Sequence, residues 1–354
     1  MIITERRLMI LANRHMSYDL AQMQSLPLEA KIIMTKERIR QWHEYWDGMV
    51  YVSFSGGKDS TVLKHLVDSM YDDVPALFVN TGLEYPEIQK FAMSQKNVET
   101  VRPKMRFDEV LKKHGFPVIS KDVSQTVKTA KYNKNTYRYK KLEGTATDKT
   151  GKASLFNMPK WLFLIDAPFD TSARCCDVMK KSPSIQYEKE TGRKPIVGTM
   201  AAESRNRYVS WLKNGCNAFE TKRPISQPLS FWTEQDILHY IKKYNVPYCS
   251  VYGEIIPTDK TEQAKGQITT FDLLDDYDGT LLTTTGCNRT GCIFCMFGCH
   301  LEKEPNRFQR LKETHPRQYE YCINGGEMVD GKWQPSKEGL GLGKVLDYIG
   351  VKYD

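Results

Sequence analysis

Eight residues constrain this chain more than any others: Ser53-Phe54-Ser55-Gly56-Gly57-Lys58-Asp59-Ser60. The apolar run Met49 to Val52 before them reads as a buried parallel strand. Thr61 to Val67 after them carries apolar residues at helical spacing. A Ser/Gly loop between a strand end and a helix N-terminus binds anions, because free N–H groups point outward and the helix dipole adds positive charge. Gly56 and Gly57 let the backbone curl close to a phosphate. Ser53 opens the loop, Ser55 and Ser60 offer hydroxyls, and Lys58 adds a full positive charge. The stretch lacks the first glycine of a Walker A loop, and Asp59 suits a triphosphate only with a magnesium ion beside it. The plain alternative is a glycine-rich turn that caps a helix, which needs only one Ser or Asp.

The chain has 354 residues, enough for one large α/β domain with additions or for two domains. Hydrophobic content of 40% against 27% charged predicts a packed core. No apolar run reaches the roughly 18 residues needed to span a bilayer, and Met1 to Arg7 has no secretory h-region, so a cytoplasmic protein without a membrane partner is expected. A net charge of +8 is compatible with anionic ligands, nucleic acid among them. Nine cysteines, odd in number and clustered, point to a metal or cluster site rather than a disulfide framework.

Along the chain, residues 1–48 read as a helical N-terminal extension, with a stripe through Leu28 to Trp46. Residues 49–250 read as the nucleotide-binding α/β domain, and 251–354 as a Cys-rich, mainly helical segment with a Gly-rich tail. A second buried strand, Val74 to Val79, ends in Asn80-Thr81-Gly82. Ligands of open parallel sheets sit outside strand carboxyl ends, so these three residues are expected to face the same crevice as the first loop. Val98 to Val101 predicts a short strand and Phe107 to His114 a helix. Residues 121–152 hold nine Lys or Arg against three acids, with Tyr132, Tyr137 and Tyr139 interleaved. They read either as a nucleic-acid surface or as a solvated helical insertion. A helix is expected over Asp177 to Thr191 and a strand over Pro195 to Met200. Arg205 and Arg207 beyond that strand are placed to meet phosphate or sulfate, or to make surface ion pairs. Thr233 predicts an N-cap with Asp236 three residues on, for a helix ending near Tyr244. Thr280 to Thr285 is a candidate strand in an otherwise irregular stretch from Tyr252.

These separated pieces resemble the phosphoadenosine phosphosulfate reductase family of the PP-loop ATP-pyrophosphatase superfamily. The pieces are the S-G-G-K-D-S loop, Asn80 to Glu87, Cys175-Cys176, Gly198 with Glu203-Ser204 and Arg207, Pro228-Leu229 with Trp232-Thr233 and Asp236-Ile237, and Gly291-Cys292-x-x-Cys295. They run in family order across roughly residues 49 to 300. The resemblance implies an adenine nucleotide alpha hydrolase-like parallel sheet sandwiched by helices. It also implies a nucleotide site that includes Gly198, Glu203, Ser204 and Arg205, with Lys58, Asp59 and Arg207 acting on ATP. Asn80 stands where the family often has Asp, and Met200 where it often has Arg. Sulfonucleotide reductases are similar but carry a degraded loop and a terminal Cys-Gly-Leu-His. Here the loop is intact, Gly339 to Asp354 has no Cys, and Cys322 is the last cysteine. The chain therefore looks more like the adenylating sulfurtransferases, such as the DNA phosphorothioation enzyme and cluster-containing tRNA thiolases.

The family-like ligand set is Cys175, Cys176, Cys292 and Cys295, resembling the ligation of a 4Fe–4S cluster. The local alternative is Cys287, Cys292, Cys295 and Cys299. Four thiolates suit a cluster or structural zinc. The first set is preferred, and Cys216 and Cys249 are expected in the core. The expected function is ATP-dependent sulfur transfer with magnesium and a 4Fe–4S cluster, on a nucleic acid acceptor. A sulfur donor such as a cysteine desulfurase, or a reductant, would be a partner, and a homodimer is a candidate assembly. The alternatives are reduction of phosphoadenosine or adenosine phosphosulfate, and a zinc-stabilised non-enzymatic nucleotide- or nucleic-acid-binding module.

Overall fold

The computed structural model describes residues 15–258 and 280–354, so the helical extension is seen from residue 15. The chain forms two compact units. Of the described residues, the first comprises 15–80, 85–101, 184–258 and 280–290, and the second 81–84, 102–183 and 291–354.

The first unit is built on a six-stranded sheet of order β3-β2-β1-β4-β6-β5. Its strands are β1 Val50–Phe54, β2 Ala76–Val79, β3 Val98–Val101, β4 Lys194–Val197, β5 Asn217–Ala218 and β6 Ile225–Ser226. All pair in parallel except β5, which runs antiparallel to β6. The strand order reverses at β1 and β4, and a ligand crevice in such sheets lies at that switch point. Helices pack on the sheet: α1 Ser17–Gln24, α2 Leu28–Tyr45, α3 Lys58–Asp68 and α4 Pro86–Ser94. The stripe of α2 buries Ile32, Ile39 and Trp42 in the same core as Val50, Val52, Val62, Leu66, Phe78, Ile196 and Trp232. Burial on both faces explains why β1 and β2 read as continuous apolar runs rather than alternating ones.

The expected cap is present. Thr233 precedes a helix at Glu234–Lys243, and its hydroxyl accepts from the Asp236 amide at 3.3 Å. The Asp236 carboxylate reaches back to the Thr233 amide at 2.6 Å and takes the buried Lys31 ammonium at 2.9 and 2.8 Å. One residue thereby closes the capping box and ties α2 to this helix. The candidate strand after Thr280 is observed as Leu281–Thr284, antiparallel to Ile255–Thr258. Residues 259–279 of the irregular stretch lie outside the described residues.

In the second unit the helices are α5 Phe107–His114, α6 Lys121–Tyr132 and α7 Tyr137–Glu143, then Arg307–Thr314, Pro316–Ile323 and Leu342–Tyr348. The basic stretch is thus largely helical, and several of its cations are engaged. Lys131 donates to the Ala167 carbonyl at 3.0 Å, Lys141 to Asp122 at 2.9 Å, and Lys128 to the His114 carbonyl at 3.3 Å. Two features differ from expectation. A π-helical turn spans Asp177–Lys181, just after the paired cysteines. The Gly-rich tail includes a helix, preceded by a hairpin of Glu327–Val329 with Lys332–Gln334. Its turn residues Asp330 and Gly331 both take positive φ, and so short a hairpin offers little periodicity to read. No described helix is long and apolar enough to cross a membrane.

Candidate nucleotide and cysteine sites

The loop after β1 is wound by its own hydroxyls. The Gly57 carbonyl accepts from Ser60 Oγ at 2.9 Å and Thr61 Oγ1 at 3.0 Å, while the Ser55 amide donates to Ser60 Oγ at 3.2 Å. Gly56 has φ of 73°, which glycine adopts without strain. A Cβ on Gly57 would stand 3.2 Å from the Tyr252 hydroxyl and 3.3 Å from Ser55 Oγ. Gly198 ends β4 where a Cβ would stand 3.1 Å from the Asp59 carbonyl, so it lets β4 approach the first turn of α3.

Lys58 and Asp59 follow at the start of α3. The buried Lys58 ammonium donates to the Asn288 carbonyl at 2.7 Å, pairs with Glu234 at 2.9 Å and lies 5.4 Å from the Tyr252 ring centre. Its amide donates to the Tyr252 hydroxyl at 3.2 Å. Asp59 Oδ1 is buried with no hydrogen-bond partner. Burial pushes the Asp59 carboxyl above its ordinary range and Glu234 adds to this, against the pull of Lys58, Arg289 and Arg207. The two residues line a cavity of about 170 Å³ with Met200, Glu203, Glu234 and Arg289. An unpartnered buried carboxylate beside an ammonium and arginines is the donor a magnesium ion takes, so Asp59 fits that role and Glu234 lies in reach of the same space.

Glu203 anchors this wall. Its carboxylate accepts from the Met200 amide at 2.9 Å, pairs with Arg289 at 2.7 Å and pairs with Arg207. Ser204 caps the helix Arg205–Asn214 by accepting from the Arg207 amide at 3.3 Å, and Arg205 is exposed on its first turn. Ser53 lies within β1, and Asn80 closes β2 with its amide on the Val101 carbonyl at 2.9 Å. Sequence reasoning missed Glu234, Tyr252, Asn288 and Arg289. Glu234 was visible only as a residue of a capped helix, and the others lie in stretches without periodicity.

In the second unit, Thr81 is engaged by Glu84: its amide and hydroxyl donate to that carboxylate at 3.1 and 2.7 Å. Gly82 has φ of 72° with open space around it. This unit also gathers Cys175, Cys176, Cys292 and Cys295, and in all six pairings the thiols lie within electrostatic reach of one another. A hydrogen bond from Cys175, with Lys121 and Lys180 beside it, draws Cys176 down to about 6. The same hydrogen bond and burial push Cys175 up. Burial pushes Cys292 up to about 11. Lys180 hydrogen-bonds Cys292 and stands 3.9 Å from Glu84. Among the described residues, no group of three or more His, Cys, Asp or Glu side chains is gathered tightly enough to hold a metal ion. The four thiols therefore share a neighbourhood without closing on one point. Their chemistry, four sulfur donors with cations to offset thiolate charge, fits a cluster or zinc. Of the local alternative, Cys299 is buried with its thiol donating to the Met296 carbonyl at 3.0 Å. Cys287 belongs to the other unit, in reach of Cys249. Cys216 and Cys249 are buried, as expected.

Comparison with known proteins bears on this arrangement. An uncharacterized protein of Methanocaldococcus jannaschii is 35% identical over 86 residues, which span 22% of this chain and 21% of that relative. Among solved structures, phosphoadenylyl-sulfate reductase of Candida auris in a phosphate complex is 16% identical, covers 61% of this chain and 82% of that one, and has a TM-score of 0.34. FMN adenylyltransferase of Candida glabrata gives 13%, 66%, 65% and 0.35. The U34-tRNA thiolase NcsA of Methanococcus maripaludis, with its [4Fe-4S] cluster, gives 14%, 71%, 76% and 0.31. The sequence itself matches the phosphoadenosine phosphosulfate reductase domain over residues 49–148 and 120–297, a span that holds the Ser/Gly loop, the arginine wall and all four cysteines. The chain belongs to the phosphoadenosine phosphosulfate reductase family.

Proposed function

We propose that this protein is an ATP-dependent, iron–sulfur sulfurtransferase that adenylates its acceptor, with nucleic acid as the acceptor. One observation carries the reading: Asp59 keeps a buried, unpartnered carboxylate oxygen in a cavity with Lys58 at the end of an intact Ser/Gly loop. A site meant for an already adenylated sulfate has no need of that charge, whereas splitting a triphosphate does. The Gly57–Lys58 turn binds phosphate at the N-terminus of α3. Lys58 leaves Glu234 to meet the charge that develops on pyrophosphate, and Arg207 and Arg289, held by Glu203, orient the α-phosphate. Asn80 and the loop hydroxyls of Ser55 and Ser60 contribute further polar contacts.

An acceptor oxygen attacks the α-phosphorus, pyrophosphate leaves, and a sulfur nucleophile then displaces AMP from the adenylated acceptor. That sulfur arrives as the outer sulfur of a persulfide from a donor such as a cysteine desulfurase, and a thiol reductant supplies the two electrons that cleave the S–S bond and leave the sulfur on the acceptor. Asp59 would hold magnesium, and Cys175, Cys176, Cys292 and Cys295 would hold a 4Fe–4S cluster, which would supply a site where sulfur can be bound and passed on. Lys121 and Lys180 stabilise negative charge among these thiols. The basic stretch 121–152 and its tyrosines support a nucleic acid acceptor, and a cytoplasmic location fits free thiols.

Calorimetry on anaerobically purified protein tests this by comparing magnesium–ATP with phosphoadenosine phosphosulfate. ATP binding that is lost in Lys58→Ala supports adenylation. Preference for the sulfonucleotide, with sulfite release, makes the protein a reductase, and zinc without iron or labile sulfide removes the cluster.

A further inference from the structure

The second unit contains a cavity that the reading above does not use. It has a volume of about 500 Å³, within the range of small-molecule sites. Its walls are apolar and aromatic: Ile119, Val123, Phe297 and Trp161, the last on a 3-10 segment at Pro159–Asp166, with Leu301 78% exposed at the rim. Two of its features call for a ligand. His300 lines the cavity, meets Trp161 edge-on at 5.2 Å, and has a buried Nδ1 with no hydrogen-bond partner. Burial and nearby Lys160 keep this imidazole below its ordinary value. Ile119, which is β-branched, takes φ of 61°, an outlier for its type that concentrates at functional sites. It is held there by a bridge to Phe297 and by its carbonyl, which accepts from the Gly298 amide at 2.8 Å.

Charge decides what fits. Lys121 lines the cavity and also hydrogen-bonds the Cys176 thiol, and Lys160 stands 4.9 Å from the Trp161 ring centre. The stretch that Lys121 opens carries nine cations against three acids. An apolar aromatic slot with cations at its edge matches a base flanked by phosphates. We propose that this cavity receives an unstacked base of a single-stranded nucleic acid, with Trp161 and Phe297 as stacking walls and His300 Nδ1 bonded to the base edge. The proposal rests on the nucleic acid part of the reading above, and it places the acceptor beside Cys176.

The test is fluorescence titration of the full chain, purified anaerobically, with a single-stranded RNA octamer carrying one 2-aminopurine. Binding should quench the probe, and a matching duplex should bind more weakly. Trp161→Ala should lose the quench and bind about 5- to 100-fold more weakly. Its salt dependence should be unchanged, because no phosphate contact is removed. Trp161→Phe should keep most of the quench, and His300→Ala should weaken binding with melting temperature unchanged. Full quench and full affinity in Trp161→Ala, or no binding by the parent protein, overturns the proposal. Calorimetric titration of the same samples with magnesium–ATP separates the two claims. Magnesium–ATP binding without oligonucleotide binding defeats only the base site, and oligonucleotide stacking without magnesium–ATP binding defeats only the adenylation.

Discussion

Replacing Asp59 by Asn should stabilise the metal-free protein and abolish its response to magnesium–ATP. The carboxylate is buried and its Oδ1 has no partner, and leaving a buried polar group unsatisfied costs about 1–3 kcal/mol, more for a charge. Burial raises the folded pKa above the unfolded one. Between those two values the folded chain holds a proton that the unfolded chain has released, so stability falls as pH rises through that window, and the deficit is complete above the folded value. Asp59→Asn removes the deficit. We expect a gain of about 1 kcal/mol at neutral pH, a rise in Tm of roughly 2–4 °C for a unit of this size, and a flatter Tm–pH curve. Magnesium–ATP at a hundred times its Kd stabilises the parent by about 2.7 kcal/mol, and the variant should gain almost none of it. Scanning calorimetry across pH 4–8, with and without magnesium–ATP, reads both effects. A variant that melts lower without ligand, or that keeps the full magnesium–ATP shift, refutes the assignment of Asp59.

Asp236→Ala should lose about 3–5 kcal/mol in urea unfolding, because it strands Lys31, which is 1% exposed, and opens the cap at Thr233; adding Lys31→Met should recover most of that loss. Gly57→Ala has an ordinary backbone angle, φ of −76°, so unfolding should change by less than about 1 kcal/mol while ATP affinity, read by calorimetry, falls about tenfold as the methyl crowds the loop. Cys176→Ala should purify anaerobically without iron, labile sulfide or visible absorbance, whereas Cys287→Ala should retain all three; the opposite pattern would transfer the ligand role to the local set.

The Ser/Gly loop, the strands around it and the cap at Thr233 were legible because each depends on near neighbours. A strand buried on both faces is a run of apolar residues, and a cap needs one side chain three residues from an amide. The paired cysteines and the Cys-x-x-Cys were legible as a set through resemblance alone, since nothing local says that residue 176 meets residue 292. Tertiary structure decided that meeting. It also decided that Glu203 faces Arg289 and that Glu234 holds Lys58. Each is a long-range ion pair, set by which segments the fold brings together and not by spacing along the chain. The basic stretch shows the same limit: its charge is written in the sequence, but which cations are free depends on carbonyls and carboxylates that only the folded chain brings to them.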